Sequence, residues 1–343
     1  MVRFIAIALG LALSPSTALG QSASGFIEED SITSIVVEND LFAGTDRNYS
    51  NGLRFEFVRP DSQAHPWLRQ AARVQPFVDL GDPDDRERVE IRDGFAINHT
   101  LYTPDDITLI LPPDDTHPYA GHLALQFFAT AAELDMGGTV KAENTILVDV
   151  GLIGPSAGGE FIQANWHQLI DGEEPLGWDT QLHDEIVFAI SGQRVERFEG
   201  PQFGDVETDL VRHFGLNLGT LRTDLSTSFT LRAGFDLSAA LAAPRLRPAI
   251  GSASLFRPNR PIGGYVFAGI GGYAVARNVF LDGNTFRDSR SVDKRTFVGD
   301  LQAGLVFNVS GNRIGFTYVV RSEEFEGQNG PQRFGAVSLS RSF

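Results

Sequence analysis

The chain has 343 residues, 42% of them hydrophobic, and a formal net charge of −16 at pH 7. This charge argues against nucleic acid or an anionic surface as a partner bound by charge alone, so a divalent cation would have to bridge the chain to any phosphorylated molecule. The chain contains no cysteine, 36 glycines and 26 phenylalanines. This composition argues against a secreted domain crosslinked by disulfides, whereas a closed β-sheet needs no crosslink.

The first 20 residues have the features of a signal peptide. Arg3 precedes an apolar run over residues 4–13, and Ala18 and Gly20 give the small-residue pattern of a cleavage site. We therefore expect a signal peptide over 1–20 and a single mature domain over 21–343. No other run reaches the roughly 18 consecutive apolar residues that a spanning helix requires, which argues against a helical membrane protein.

Apolar and polar residues alternate along most of the mature chain, and this period of two predicts amphipathic strands. In residues 297–309, for example, Leu301 and Phe307 share one face, and Asp300 and Asn308 share the other. The final strand ends in Phe343, and a C-terminal aromatic residue is typical of barrels delivered to the bacterial outer membrane. We predict strands near 31–41, 50–59, 93–102, 119–131, 141–152, 184–197, 207–220, 224–238, 262–277, 293–308, 311–323 and 331–343.

These strands predict an all-β fold, a twelve-stranded antiparallel outer-membrane β-barrel, because bacterial single-chain barrels have an even number of strands. Any one strand taken alone would also suit a soluble sandwich. A tight turn is predicted at 310–312. Two segments are too long for periplasmic turns: 60–92, in which a short helix is predicted at 67–74, and 240–261.

A short helical insertion is predicted in an extracellular loop, in residues 151–173 between the fifth and sixth strands. Its residues Ile162, Trp166, Leu169 and Ile170 form an apolar stripe at helical spacing. We expect this stripe to pack against the rim of the barrel.

Strand order gathers five polar residues at the outer rim. With the N-terminus in the periplasm, strand 1 ends there, strand 2 begins there, and the helical insertion lies there. These three places carry Asn39 with Asp40, Ser50, and His167 with Glu173. A histidine on a rigid insertion, followed by a carboxylate, can act as a general base. Because Asn39 and Asp40 are adjacent, a bulge or the strand end must turn both toward one site.

Other interpretations of single residues stay open. A histidine on an exposed helix is often only solvated, and Asn39 with Asp40 before a loop also suits a turn. Ser156 lies in a Gly-x-Ser-x-Gly pattern, but a nucleophile elbow needs an α/β sheet around it. The remaining histidines lack the spacing of zinc ligands and are interpreted as wall, rim or loop residues: His65, His99, His117, His122, His183 and His213.

Seven short motifs follow one another in the first half of the mature chain. They are Val37–Phe42, Asn48–Gly52, Leu101–Pro104, Pro118–Gly121, Gly151–Pro155, Gln163 with His167, and Gly177 with Trp178. In this order they resemble the outer-membrane lipid A 3′-O-deacylase family, and the second half of the chain matches it in strand pattern only. The resemblance implies a twelve-stranded barrel and metal-dependent hydrolysis of the 3′-acyloxyacyl ester of lipid A. It also implies a carboxylic ester hydrolase in the outer membrane of a Gram-negative cell, with its active site facing outward toward lipopolysaccharide.

The catalytic residues of that family match five positions of this chain. These positions are Asn39, Asp40, Ser50, His167 and Glu173. His167 is the expected base that deprotonates water. Asp40 and Glu173 are hard oxygen ligands suited to a divalent cation, Ca²⁺ by our expectation, which would polarise the ester carbonyl. Asn39 and Ser50 remain as oxyanion donors or as groups that position water.

The chain departs from the family around the expected phosphate site. Lysine occurs only at Lys141 and Lys294, the loop over 105–115 is acidic, and His117 stands where an arginine is expected. Either a metal or arginines elsewhere on the rim bind phosphate, or the lipid is not a standard phosphorylated lipid A.

Two classes of function remain. The first is a monomeric esterase acting on lipid A or a related outer-leaflet lipid, and the second is a non-enzymatic channel or structural barrel. A channel should keep a wide polar lumen, whereas the esterase needs His167 near Ser50, Asn39 and Asp40. Gln163 lies one helical turn before His167 and either orients its ring or lines the lumen.

Overall fold

A computed structural model describes residues 31–44, 47–60, 88–136, 138–241, 256 and 260–343. Twelve antiparallel strands close into one barrel, in which each strand pairs with its neighbours along the chain and the first pairs with the last. The strands are β1 (Ile32–Asn39), β2 (Asn48–Val58), β3 (Arg88–Thr103), β4 (Ala120–Leu134), β5 (Val140–Ile153), β6 (Glu185–Glu199), β7 (Glu207–Gly219), β8 (Arg222–Phe235), β9 (Ile262–Asn278), β10 (Phe297–Val309), β11 (Asn312–Arg321) and β12 (Gln332–Ser342).

The predicted twelve-stranded barrel is therefore confirmed, and each predicted strand has its counterpart. The bounds differ most at β3, which begins before the predicted residue 93. The predicted signal peptide over 1–20 and the predicted helix at 67–74 lie outside the described residues.

Within the described residues, two short α-helices interrupt the strands, α1 (Gly159–Ile170) between β5 and β6 and α2 (Val279–Asp282) between β9 and β10. The first is the predicted helical insertion. Neither these helices nor any other in the described ranges has the length and apolar character to cross a membrane.

The alternation of residue types matches the two faces of the barrel wall. In β10, Leu301 and Phe307 point outward and are exposed, whereas Asp300 and Asn308 point into the lumen and are buried. The predicted tight turn joins β10 to β11 through Ser310 and Gly311, both at positive φ. Two consecutive residues with positive φ match the twist of the strands that a two-residue hairpin joins, and glycine adopts a positive φ without steric cost.

We call the end of the barrel where β1 ends and β2 begins the upper rim. Because neighbouring strands are antiparallel, β3 and β5 also end there, and β4 and β6 begin there. The upper rim therefore carries the β1–β2, β3–β4 and β5–β6 connections, which hold the predicted site residues.

The lumen is filled by charged side chains that pair with one another. The carboxylate of Asp209 contacts Arg232 at 2.6 Å and Arg197 at 2.7 Å, and Asp300 contacts Arg321 at 2.9 Å. All five side chains are at most 6% exposed. A buried charge is costly unless it is paired, so these contacts between strands keep the lumen packed.

An aromatic cluster closes the lumen near the upper rim. Phe280 of α2 stacks on Tyr102 of β3, with ring centroids 4.0 Å apart, although β9 and β3 lie on opposite sides of the barrel. The ring of His117, from the β3–β4 connection, stacks on the same Tyr102 at 5.4 Å. Burial lowers the pKa of His117 to about 4, against the raising effect of its hydrogen bond with the carbonyl of Pro118.

Candidate functional site

The outward face of β3 changes character near the upper rim. Phe95 and Ile97 are 38% and 48% exposed, whereas His99, Leu101 and Thr103 continue the same face but are buried. A part of the chain outside the wall must therefore cover this end of the strand.

The same change occurs on β4, and there the cover can be identified. Leu125 and Leu123 are exposed on the outward face, whereas Gly121, next on that face, is buried. A Cβ atom on Gly121 would lie 3.0 Å from the Cα atom of Gly159, the first residue of α1. Only glycine permits this approach, so α1 begins against the outside of the wall.

Two further contacts hold the β5–β6 connection to the outside of the wall. Nε2 of His99 lies 3.0 Å from the carbonyl oxygen of Ala157, just before α1. The ring of Tyr119, which precedes β4, packs against the ring of Trp178 at 4.8 Å. The helix therefore covers β3 and β4 from outside, and the space beneath it is separate from the lumen.

The buried face of α1 carries two polar side chains. Gly159, Gln163 and His167 recur every four residues and are the buried residues of this helix. Such spacing places them on one face, since a helix has 3.6 residues per turn. His167, 5% exposed, is thus directed toward the covered part of the wall and away from solvent.

A backbone carbonyl determines the tautomer of His167. Its Nδ1 atom forms a hydrogen bond with the carbonyl oxygen of Glu173. A carbonyl oxygen only accepts, so Nδ1 carries the proton and the lone pair of the neutral ring is on Nε2. Gly172 makes the turn possible, because a Cβ atom there would lie 3.2 Å from Nδ1 of His167.

Gln163 is held by one side of its amide. Its Oε1 atom accepts a 2.8 Å hydrogen bond from Nε1 of Trp178. Its Nε2 atom is buried and has no hydrogen-bond partner among the described residues. The predicted alternative that Gln163 lines the lumen is wrong, because α1 lies outside the wall.

Asn39 and Asp40 lie where β1 ends, as expected for two adjacent residues that serve one site. A 3₁₀ turn over Asp40–Ala43 begins directly after Asn39, whose Oδ1 accepts from the backbone N–H of Leu41 at 2.8 Å. Asp40 is fully buried, and its Oδ2 accepts from the backbone N–H of Arg47 at 2.6 Å.

Ser50 is the extra residue of a β-bulge. The pairing of β2 with β3 shifts between Tyr49 and Asn51, so Ser50 has no partner opposite it. Its hydroxyl lies 2.7 Å from the hydroxyl of Thr103, on the outward face of β3 that α1 helps to cover. The bulge thereby directs Ser50 toward the outside of the wall.

All five predicted site residues therefore lie at the upper rim, in two groups. Asn39, Asp40 and Ser50 belong to the β1–β2–β3 part of the wall, and His167 and Glu173 belong to the β5–β6 connection. Glu173 contacts His167 through its carbonyl oxygen, and its side chain is exposed.

Two hydrogen-bond partners of the predicted site residues and of Gln163 were not predicted from the sequence. Thr103 bonds to Ser50, and Trp178 bonds to Gln163. A signal for the covered patch was present, since His99 and Thr103 continue an outward face that begins with Phe95 and Ile97. Polar residues at positions otherwise exposed to lipid indicate a covering element.

Ser156 has no nucleophile arrangement. Its hydroxyl donates to Oδ2 of Asp184 at 2.8 Å, and its backbone N–H donates to Oδ1 of the same carboxylate. Both contacts are exposed and simply hold the loop before α1. Within the described ranges, no three side chains of His, Asp or Glu converge as a metal site.

Comparison with known proteins gives one strong likeness. The family model described as "Outer membrane protein LpxR" matches residues 4–343. Among solved structures, LpxR from Salmonella typhimurium is similar with a TM-score of 0.71 and 18% identity, over 91% of this chain and 100% of that chain.

Two other barrels are only loosely similar. The beta domain of the Bordetella autotransporter BrkA aligns with a TM-score of 0.42 and 11% identity, over 92% of this chain and 98% of that chain. CdiB from Escherichia coli aligns with a TM-score of 0.33 and 10% identity, over 93% of this chain and 64% of that chain. No curated protein matches the chain.

Proposed function

Because the chain belongs to the outer membrane protein LpxR family, we propose that it is an esterase of the outer membrane. Its substrate is lipid A or a related outer-leaflet lipid, and the bond it hydrolyses is the 3′-acyloxyacyl ester. The barrel acts as a monomer, with the upper rim facing outward from the cell.

The observation that carries this proposal is the setting of His167. The ring is buried between a helix and the outside of the barrel wall, and the carbonyl of Glu173 holds the proton on Nδ1. Nε2 is then the basic nitrogen. A solvated surface histidine needs neither burial nor a fixed tautomer, so this geometry favours a general base.

The reaction follows from that base. Nε2 of His167 removes a proton from water as the water oxygen attacks the ester carbonyl carbon, which forms a tetrahedral oxyanion. When the oxyanion collapses, the bond between this carbon and the alkoxy oxygen breaks, and the histidine returns its proton to the leaving oxygen. The products are the acyloxyacyl carboxylic acid and a lipid A with a free 3′-hydroxyl group.

Three polar groups of this chain can stabilise the oxyanion or position water. Nε2 of Gln163 is a buried donor on the same helix face as His167, and its bond with Trp178 limits rotation of the amide. Ser50 and Asn39 offer a hydroxyl and an amide at the strand ends. Preorganised donors of this kind are worth about 10²–10³-fold in rate each when they point at the developing charge.

A divalent cation, Ca²⁺, is part of the proposal. Asp40 and Glu173 supply carboxylate oxygens, the ligand type that Ca²⁺ prefers, and six to eight oxygens in all are usual, so backbone carbonyls and substrate would complete the shell. Bound there, the cation would act as a Lewis acid on the ester carbonyl. The donor chemistry fits Ca²⁺ better than Zn²⁺, which favours nitrogen and sulfur ligands.

The packed lumen argues against the alternative of a channel. Paired charges such as Arg232 with Asp209 fill the interior, and Phe280 stacks on Tyr102 across the mouth. An aqueous channel needs an open polar interior instead.

Mass spectrometry of lipid A from cells expressing the protein tests the proposal. Lipid A should lose a mass equal to one acyloxyacyl group, and the His167→Ala variant should leave it intact. The esterase proposal would be contradicted if lipid A stays unmodified both in cells whose outer membrane contains the folded wild-type barrel and in a detergent assay of that barrel with added Ca²⁺.

A further inference from the structure

Helix α1 presents apolar side chains away from the face that carries Gln163 and His167. Phe161 is 71% exposed and Leu169 65%. The predicted packing of the apolar stripe against the rim is therefore wrong for Ile162, Leu169 and Ile170, which are exposed, whereas Trp166 is half-buried. The polar residues Gln163 and His167 face the wall instead, because the glycine contact at the start of the helix turns that face inward.

A second exposed apolar segment adjoins the chain that follows α1. Ile110 and Leu111, in the β3–β4 connection, are 71% and 74% exposed, and Leu176 is also exposed. The backbone N–H of Leu176 donates to the carbonyl oxygen of Ile107 at 2.8 Å, which joins the two segments. We call the exposed apolar side chains of α1 and of residues 109–111 the apolar cover.

Exposure of these side chains to water would be unfavourable. Removal of exposed Leu, Ile and Phe side chains from water is favourable, and contiguous exposed apolar patches mark interaction sites. Of the exposed polar residues of α1, Asn165 and Gln168 flank Phe161, and Glu160 lies two and a half turns before Leu169, on the opposite side of the helix. Such a division is the pattern of a helix that lies in a membrane interface.

Position in the barrel identifies the partner as hydrocarbon. Leu125 and Leu123 belong to the outward belt of β4, and Gly121 continues that same face by two residues to the contact with α1. Two strand residues span about 7 Å, so the helix begins directly above the belt. The wall of an outer membrane barrel contacts lipid there, and the apolar cover extends this surface without a break.

We infer that the apolar cover is seated in the lipid leaflet at the upper rim, with Phe161, Leu169 and Ile110 in contact with acyl chains. The helix is anchored at the boundary of headgroups and hydrocarbon, which is the depth of the ester bonds of a lipid. A lipid substrate then reaches His167 sideways through the leaflet. This seating depends on the membrane location of the barrel and not on esterase activity.

Spin labels test the seating, and a sequence with Cys 0 allows single-cysteine variants without background. Phe161→Cys, Leu169→Cys and Ile110→Cys proteins are labelled and reconstituted in dioleoylphosphatidylcholine vesicles. Leu125→Cys is the control for lipid contact, and Glu160→Cys, on the side of the same helix opposite to Leu169, is the control for water. Collision rates with oxygen, which concentrates in hydrocarbon, are compared with those of a water-soluble nickel chelate.

We expect the three test labels to resemble Leu125 and to differ from the label at position 160 by at least about threefold in the ratio of the two rates. The inference is overturned if the labels at positions 161 and 169 of α1 or at position 110 collide with the chelate as often as the label at position 160. Folding is checked in each case by the heat-dependent gel mobility of the barrel. This readout needs no turnover. The inference about the apolar cover can therefore be refuted while the esterase proposal stands, and the esterase proposal can be refuted while this inference stands.

Discussion

The two sides of the barrel wall near the upper rim use polar residues in different ways. Inside, carboxylates are matched to guanidinium groups, as Asp209 is to Arg197 and Arg232, and aromatic rings fill the remaining space. Outside, under α1, the buried polar groups are amide, imidazole and hydroxyl groups, among them Gln163, His167 and Ser50. Nε2 of Gln163 has no hydrogen-bond partner among the described residues, as Nη1 of Arg197 has none inside.

This difference separates structure from chemistry. The opposite charges of a buried pair neutralise each other, and removing one member leaves a costly charge. A buried donor without a partner costs stability unless a ligand satisfies it. We therefore expect changes in the lumen to affect stability, and changes under α1 to affect activity.

Replacement of one histidine on each side gives the largest contrast. His167→Ala should lower the hydrolysis rate on the order of 10²–10⁴-fold, the usual contribution of a positioned base. His122, buried on the lumen face of β4 beside Thr100, is the matched control. The rate per folded barrel should be nearly unchanged in His122→Ala, and equal losses in the two variants would refute the division between the two sides.

Removal of divalent cations should affect only the outer side. Excess chelator should reduce hydrolysis by more than about tenfold, and Ca²⁺ should restore it, because the cation would polarise the carbonyl. Heat-dependent gel mobility should stay that of the folded barrel, since the strand ladder needs no metal. Full activity in chelator would remove Asp40 and Glu173 from the metal role.

Loss of a lumen charge should give the opposite result. Asp209→Asn leaves Arg197 and Arg232 without their carboxylate and should lower the free energy of unfolding by about 3–5 kcal/mol, measured by urea titration in vesicles. The exposed pair of Lys141 with Glu199 is the control, and Glu199→Gln should cost at most about 1 kcal/mol. A loss of specific activity in folded Asp209→Asn protein would contradict a purely structural lumen.

The aromatic cluster at the mouth should make stability sensitive to acid. The pKa of His117 is lowered to about 4 by burial, from an ordinary value near 6.5. Between pH 6.5 and about 4, His117 binds a proton in the unfolded chain but not in the folded protein. The contribution of His117 to the free energy of unfolding is therefore complete above pH 6.5, declines as the pH falls to about 4, and changes no further below that. Urea midpoints measured across this window should decline less in His117→Gln; parallel curves would show that another group is responsible.

The smallest effect is expected at Ser50. Ser50→Ala should cost about tenfold in rate, less than a sole oxyanion donor would, if the hydroxyl shares the oxyanion with Gln163, Asn39 and the cation. It should cost as much as His167→Ala if a serine acyl-enzyme forms. Single-turnover rates and mass spectrometry of the intact protein separate these cases. An acyl group trapped on Ser50 would overturn direct attack by water and would leave the esterase assignment in place.

Much of the fold could be predicted from residues read locally. Alternation such as that of Leu301 and Phe307 against Asp300 and Asn308 depends only on the period of a strand, and a barrel gives each outward position the same environment. The five site residues could be placed at one rim because antiparallel order alone determines at which end each strand stops. The bulge that directs Ser50 outward had no local signal, because it arises from a shift in pairing with β3.

The orientation of α1 could not be predicted from its own pattern. For a protein in water, an apolar stripe with Leu169 and Ile170 is expected to be buried inside the protein. The stripe is exposed instead, because Gly121 and Gly159 are in contact although they are far apart in sequence, and this contact sets which face of the helix meets the wall. By itself, the sequence determined the strands, their number and the rim that carries the predicted site residues, since these follow from local periodicity and chain order. Only the tertiary structure decided that Gln163 and His167 lie outside the wall, because that depends on which face of a helix packs against strands distant in the chain.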